Sequence, residues 1–321
     1  MKILVTGGAG FIGSHTAERL VTAGHRVRVV DDLSTGSLAN LAAVESEIEL
    51  VQMDVRDAER LADACRGIDR VLHLAAVASV VKSIDEPLAA HEVNASGSLN
   101  VIEAARRGGA GRVILASSAA VYGNDPELPK RENSPTLPQS PYAWQKLCGE
   151  FYGRFFGETY GIEFVALRYF NVYGPRQDPD SPYSGVLSIF TSNAAQGRPL
   201  VIDGDGRQTR DFIYVKDVAE INARALEAAG PLPGAVNVST NKETSILDAA
   251  RIIMEAAGSD AVLQFSEERP GDIRRSFADN SLMMKSFDYT PQVDITAGLP
   301  QLVDEFRAGG PAPQANAGRS A

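Results

Sequence analysis

The sequence reads as an α/β fold, a doubly wound parallel sheet followed by a smaller C-terminal lobe. Three observations carry that expectation. Short β-branched runs alternate with amphipathic stretches through the first half, which builds parallel strands covered by helices on both faces. A glycine-rich stretch, "TGGAGFIG", directly follows the first strand pattern. From about residue 171 the alternation gives way to segments rich in Pro, Asp and Gly.

In chain order, "KILVTG" is the first strand and "FIGSHTAERLVTAG" a helix closed by Gly24. "RVRVVD" and "IELVQMD" are the second and third strands, "ERLADACRG" a helix, and "RVLHLAA" the fourth strand. One long helix is expected over "PLAAHEVNASGSLNVIEAARRGG". Strand "RVILASS" follows, and another helix opens near Tyr142 after the loop-like "PTLPQSP". Further on, "FIYVKDVAEINARALEA" is expected to rejoin the sheet as a strand and a helix. "GAVNVST" and "TSILDAARIIMEAAG" read as a later strand and a capped helix. The expected division is residues 1–170 plus about 208–233 for the sheet domain, and about 171–207 plus 234–306 for the lobe. The stretch 307–321 has the composition of a disordered tail.

With 321 residues, 44% of them hydrophobic and 22% charged, the chain can bury a large core. A net charge of −10 argues against a broad nucleic-acid or anionic-membrane surface. It leaves room for a small anionic ligand, which one or two Arg can hold. Two cysteines, Cys65 and Cys148, give neither a disulfide framework nor a zinc spacing, and no metal site is expected. The strand pattern begins at residue 2 and no apolar run is long enough to span a bilayer, so a cytoplasmic protein is expected.

The stretch Thr6 to Gly13 has the spacing G-x-x-G-x-x-G, with Gly7, Gly10 and Gly13. Gly7 turns the chain off the strand, Gly10 admits a pyrophosphate, and Gly13 lets the helix pack closely. The helix N-terminus then offers free N–H groups and a positive dipole to the phosphates. The second strand ends in Asp31–Asp32, where a carboxylate accepts from ribose hydroxyls and repels a 2′-phosphate. The following "LSTG" has no Arg to neutralise such a phosphate, so NAD is favoured over NADP. Asp54, ending the third strand, is equally suited to the adenine edge or to a loop.

"YAWQK" places Tyr142 and Lys146 on one face of a helix. Ser117 and Ser118, in "SSAAVYG", end the fifth strand at the sheet edge where ligands bind. Phenol, ammonium and serine make a proton-transfer set. Free Tyr titrates near 10, and the Lys146 ammonium and a nicotinamide ring are expected to lower that value. Tyr142 would take the proton of a substrate hydroxyl that Ser118 orients. His73 suits a core or strand end better than catalysis, and Trp144 is expected to pack.

Thr6–Gly13, Ser118, Tyr142 and Lys146, with "RYFNVYGPRQ", "GDGRQTRDFIYV" and "RPGD", resemble the extended short-chain dehydrogenase/reductase family, in its NAD-dependent nucleotide-sugar epimerase branch. The likeness runs from residue 1 to about 306. It implies a Rossmann-type domain, a tightly held NAD, a UDP-sugar between the lobes, and a homodimer through helices near 87–108 and 142–158. It implies cofactor contacts at Phe11, Ile12 and Ser34, at Val55, and at Leu74, Ala75 and Ala76. Tyr169 and Phe170 are implied at the nicotinamide, and Asn94 as a support for Lys146. The UDP-sugar is implied to meet Ser79, Asn171, Arg210, Arg269, Asp272 and Ser276.

The same triad serves dehydrogenases, epimerases and dehydratases. Ala119 and Ala120 follow Ser118 where dehydratases and decarboxylases of this type carry an acid, so elimination chemistry is disfavoured. The resemblance therefore implies a UDP-sugar 4-epimerase working through a 4-keto intermediate. UDP-glucose and UDP-galactose are the first expected pair. UDP-GlcNAc and UDP-GalNAc are admitted if the small Ser276 widens the pocket. UDP-glucuronate is an alternative, with Arg176, Ser79 or Ser184 as carboxylate partners and Asp178 as an unwelcome acid. A net dehydrogenase or a non-catalytic NAD-binding protein stands further off.

Overall fold

A computed structural model describes residues 1–178, 185–268 and 273–307. Arg269, Asp272, Ser184 and the tail beyond Arg307 lie outside the described residues.

Seven parallel strands form the central sheet: β1 (Lys2–Thr6), β2 (Arg26–Asp31), β3 (Ile48–Gln52), β4 (Arg70–His73), β5 (Arg112–Ser118), β6 (Glu163–Tyr169) and, much later in the chain, β11 (Ala235–Val238). Their spatial order is β11-β6-β5-β4-β1-β2-β3. The order reverses between β1 and β4, and ligands bind outside the carboxyl ends of strands at such a switch point. The inner strands read as near-continuous apolar runs because both faces are covered.

On this sheet lie α1 (Phe11–Thr22), α2 (Ala58–Ala64), α3 (Val80–Asp85), α4 (Pro87–His91), α5 (Gly97–Gly108) and α6 (Pro141–Tyr160). The chain then forms β7 (Asn171–Tyr173), α7 (Val186–Ala195), β8 (Leu200–Asp203), β9 (Thr209–Arg210), β10 (Phe212–Tyr214) and α8 (Val215–Glu227). Past β11 come β12 (Thr244–Ser245), α9 (Ile246–Ala257), β13 (Leu263–Ser266), β14 (Arg275–Ser276), α10 (Ser281–Phe287) and α11 (Ile295–Arg307). The lobe has its own core, in which α7, α9 and α11 pack over β8 and the aromatic residues Tyr173, Phe212 and Tyr214.

Four expectations need correction. The strand "FIYV" does not rejoin the central sheet, because β10 pairs with β7 in a separate two-stranded sheet, and only α8 returns, against α1. The strand in "GAVNVST" does not belong to the lobe, since β11 pairs with β6 and closes one edge of the central sheet. The long helix from Pro87 is interrupted by a π-helical turn at Glu92–Ser96, where the Asn94 side chain is bonded to the loop at Val77. Trp144 does not pack, being 62% exposed on the outer face of α6. No described helix is long and apolar enough to cross a membrane.

Candidate active site

The loop between β1 and α1 is tight for a stated reason at two positions. Gly7 has φ +70, and a Cβ there would lie 2.7 Å from the Ala75 nitrogen. A Cβ on Gly13 would meet the Gly7 carbonyl oxygen at 2.1 Å. Gly10 heads α1 with no side-chain cap, and a Cβ there would meet only the Gly7 oxygen, at 3.2 Å. The N-terminus of a 12-residue helix is thus left uncapped beside a side-chain-free approach, which fits a pyrophosphate. Phe11 and Ile12 form its first turn and are half-exposed.

Asp31 ends β2 beside this loop. Its carboxylate accepts from the Ala9 N–H and the Leu33 N–H, each at 2.9 Å, and burial raises its pKa. Asp32 is exposed and turned to Ser34, accepting from both its N–H and its hydroxyl. Asp54 is held by the Arg56 guanidinium, which lowers its pKa. Val55 is buried against Gly97. Leu74, Ala75 and Ala76 line the carboxyl end of β4 and are half-exposed. His73 is a core residue, bonded to Thr6 at 2.7 Å and Ser98 at 2.9 Å.

Across the switch point, α6 brings the proton-transfer set together. Ser140 caps the helix by accepting from the Ala143 N–H, Pro141 fills the first turn, and the Tyr142 N–H donates to Ser83 of α3 at 3.1 Å. The Ser118 hydroxyl lies beside the Tyr142 phenol and favours its ionised form, and it accepts from the Ala120 N–H at 3.2 Å. Lys146 is buried with its ammonium 5.8 Å from the centre of the Tyr142 ring, donating to the Ala116 carbonyl at 2.9 Å.

The electrostatics differ from expectation. Burial raises the Tyr142 pKa, and the Ser118 hydroxyl opposes that only in part. Burial also lowers Lys146 to about 8, and among the described residues no carboxylate pairs with it. The expected lowering of Tyr142 by its neighbour is therefore not produced by the chain alone. Asn94 does not bond Lys146 either. Its amide goes to both backbone atoms of Val77 and to the Gln145 side chain at 2.8 Å.

On the lobe side, the Asn171 N–H donates to the Asp211 carbonyl and its residue is exposed. Phe170 is buried beside Tyr122, and the Tyr169 hydroxyl donates to Asn222 at 2.7 Å. Arg210 donates to the Ile273 carbonyl at 2.6 Å, and β14 sets Ser276 beside it in register. Ser79 caps α3 by accepting from the Lys82 N–H. Arg176 is committed to Glu18 of α1, which places it along that helix rather than at the end of β5. Asp178 is exposed.

Sequence reasoning overlooked Ser83, Glu150 and Arg168. The first anchors the start of α6, and the other two form a buried ion pair behind Ser117. Glu150 had one local signal: it continues the Tyr142–Lys146 spacing by another four residues.

Comparison with known proteins joins this geometry to a family. Residues 3–239 match the NAD dependent epimerase/dehydratase family. The UDP-glucose 4-epimerase of Mycolicibacterium smegmatis is 39% identical over 313 residues, 96% of this chain and 99% of that one. The structure of UDP-N-acetylglucosamine 4-epimerase from Methanobrevibacter ruminantium M1, in complex with UDP-N-acetylmuramic acid, superposes with a TM-score of 0.91. It is 40% identical and covers 96% of this chain and 98% of that one. The UDP-glucose 4-epimerase of Thermus thermophilus, in complex with NAD, gives 0.88 and 39%, over 96% and 99% of the two chains.

Proposed function

The chain belongs to the NAD dependent epimerase/dehydratase family, and from that premise we propose that it inverts C4 of a UDP-linked hexose, with UDP-glucose and UDP-galactose as its first substrate pair. The observation that carries this reading is the set Ser118, Tyr142 and Lys146 at the carboxyl edge of β5, followed by Ala119 and Ala120. The family includes dehydratases as well as epimerases. Two alanines supply neither the acid nor the base that eliminating water needs, so oxidation and reduction at one carbon remain.

NAD fits the uncapped start of α1 and the Asp31 carboxylate, and when bound it supplies the hydride acceptor and donor together with a positive ring. The chain's own residues move the proton. Ser118 orients the 4′-hydroxyl, Tyr142 takes its proton, and Lys146 contributes the nearby positive charge. Because burial holds the free phenol protonated, proton removal belongs to the fully loaded site. The 4-keto sugar turns over while its diphosphate stays anchored. Arg210 and Asn171 are proposed for the diphosphate side together with Arg269, and Asp272 for the uridine ribose, the last two lying beyond the described residues. Tyr142 returns its proton after reduction at the opposite face.

UDP-GlcNAc and UDP-GalNAc form the second pair, supported by the small Ser276 beside Arg210. UDP-glucuronate is less favoured because Arg176, the cation considered for its carboxylate, is paired with Glu18. A homodimer is proposed through α3, α4 and α6, where Val81, Ile84, Leu88, Trp144, Phe151 and Phe155 are exposed.

The test uses the purified protein without added NAD. Denaturation is expected to release about one equivalent of NAD, and each pair is incubated and its products separated. Inversion at C4 with no net NADH is the expected result. Steady NADH accumulation, or a 4-keto-6-deoxy product, would overturn it.

A further inference from the structure

No step above uses the polar core that fastens α6 to the sheet. Glu150 lies one turn beyond Lys146 and two beyond Tyr142 on the same face. Its carboxylate accepts from Arg168 Nε at 2.9 Å and Nη2 at 2.7 Å, and from the Ser117 hydroxyl. Arg168 faces Ser117 across the β5–β6 pairing. Its Nη1 donates to the Tyr122 hydroxyl at 3.0 Å and to the Glu132 carbonyl at 3.1 Å. Tyr122 in turn donates to Asn237 on β11 at 2.6 Å. Ser117, Tyr122, Glu150, Arg168 and Asn237 are all buried.

Three consecutive residues of β5 are therefore each tied to a different turn of α6. Ser118 meets Tyr142, the Ala116 carbonyl meets Lys146, and Ser117 meets Glu150. Elsewhere α6 is held by the Tyr142 N–H bond to Ser83, by Gln145 bonded to Asn94, and by Phe156 in the core. Gly149 and Gly153 face the sheet, so the backbone sits close but carries no side chain to interlock. A bidentate guanidinium–carboxylate pair has a fixed geometry and adds a directional constraint at the middle of the helix. A displacement of about 1 Å at the reacting groups can lower turnover on the order of a hundredfold.

We infer that Arg168 and Glu150 are positioning residues that set the phase of α6 on β5, so that the Tyr142 hydroxyl meets Ser118. The pair governs turnover without touching sugar or cofactor, and the inference rests on the proton-transfer role proposed for Tyr142. Stability alone does not demand an ion pair here, because a buried pair can often be replaced by apolar residues of similar volume without loss. That separates the two roles.

The experiment compares Glu150→Leu with the double variant Glu150→Leu/Arg168→Met in the full chain. The single variant is expected to lose Tm. The double is expected to recover it and keep KM, yet to show kcat lower by about tenfold or more and a displaced pH profile of kcat. Recovery of wild-type kcat and pH profile along with Tm would reduce the pair to packing and overturn the inference. Should the double fail to regain Tm, Glu150→Gln decides, with low kcat at unchanged KM supporting the inference and unchanged kcat overturning it. Amide hydrogen exchange of residues 142–150 needs no sugar nucleotide. Faster exchange in the variants supports the inference and unchanged exchange sinks it, even if the wild type turns over no UDP-sugar and the proposed function itself falls.

Discussion

The two faces of α6 invert the usual arrangement of a surface helix. The face against the sheet carries Lys146 and Glu150, which are 7% and 9% exposed. The face toward solvent carries Trp144, Phe151 and Phe155, which are 62%, 55% and 45% exposed. Charge inside and aromatic surface outside is the reverse of what folding alone selects. The inner face also buries Ala143 and Phe156 in the core, so its charged pair stands out against apolar packing. On the proposed function the inner face serves proton transfer, and on the proposed dimer the outer face meets a second subunit.

Breaking the inner face has the largest expected effect. Tyr142→Phe removes the proton-carrying hydroxyl and keeps the ring, so kcat should fall about a thousandfold while NAD content and UDP-sugar affinity stay near wild type. Steady-state kinetics with a binding titration checks this.

Lys146→Met should lower kcat by about a hundredfold and yet raise Tm by about 1–3 °C. The sign follows from the buried ammonium. Its folded value is about 8 against 10.5 for free Lys, so burial of the charge costs about 3 kcal/mol at neutral pH. Loss of the bond to the Ala116 carbonyl offsets part of that gain, leaving a net of about 1–2 kcal/mol. Between pH 8 and 10.5 the unfolded chain holds a proton the folded chain lacks, so wild-type stability from this group rises with pH. The advantage of the Met variant should therefore shrink as pH climbs from about 7 to about 10, as read by denaturant melts.

The outer face should answer oppositely. Phe151→Asp with Phe155→Asp is expected to convert a dimer to a monomer by light scattering, while kcat stays within about threefold. A monomeric wild type would remove the proposed explanation of those aromatics. The smallest effects test how closely the inner face approaches the sheet. A Cβ at Gly153 would lie 1.9 Å from the Phe164 ring, whereas one at Gly149 would be 2.9 Å from the flexible end of Leu115. Gly153→Ala should lose about 1–3 kcal/mol, and Gly149→Ala should change stability by less than about 1 kcal/mol, since helix propensity favours Ala.

Much of the site was legible because its signals are local. The glycine loop, the end of β2, the serines ending β5 and the Tyr142–Lys146 spacing each sit within a few residues of a strand or helix boundary. What escaped depends on distant partners. β11 declares its place only through pairing with β6, about 70 residues earlier in the chain. Arg176 finds Glu18 across 158 positions, and Asn94 finds Gln145 across 51. α3 was hidden in an apolar run that also fits a strand. The pKa of Tyr142 depended on how deeply the site is buried, which spacing does not report.

The late arrival of β11 has a consequence during synthesis. The ribosome delivers six strands in order and then builds part of the lobe before residue 235 emerges. Until then β6 presents an open row of backbone donors and acceptors, the kind of rim on which nascent chains stick to one another. This protein's most hazardous moment should fall while roughly its last quarter is still being translated, and a holdase acting then would protect it better than one acting after release.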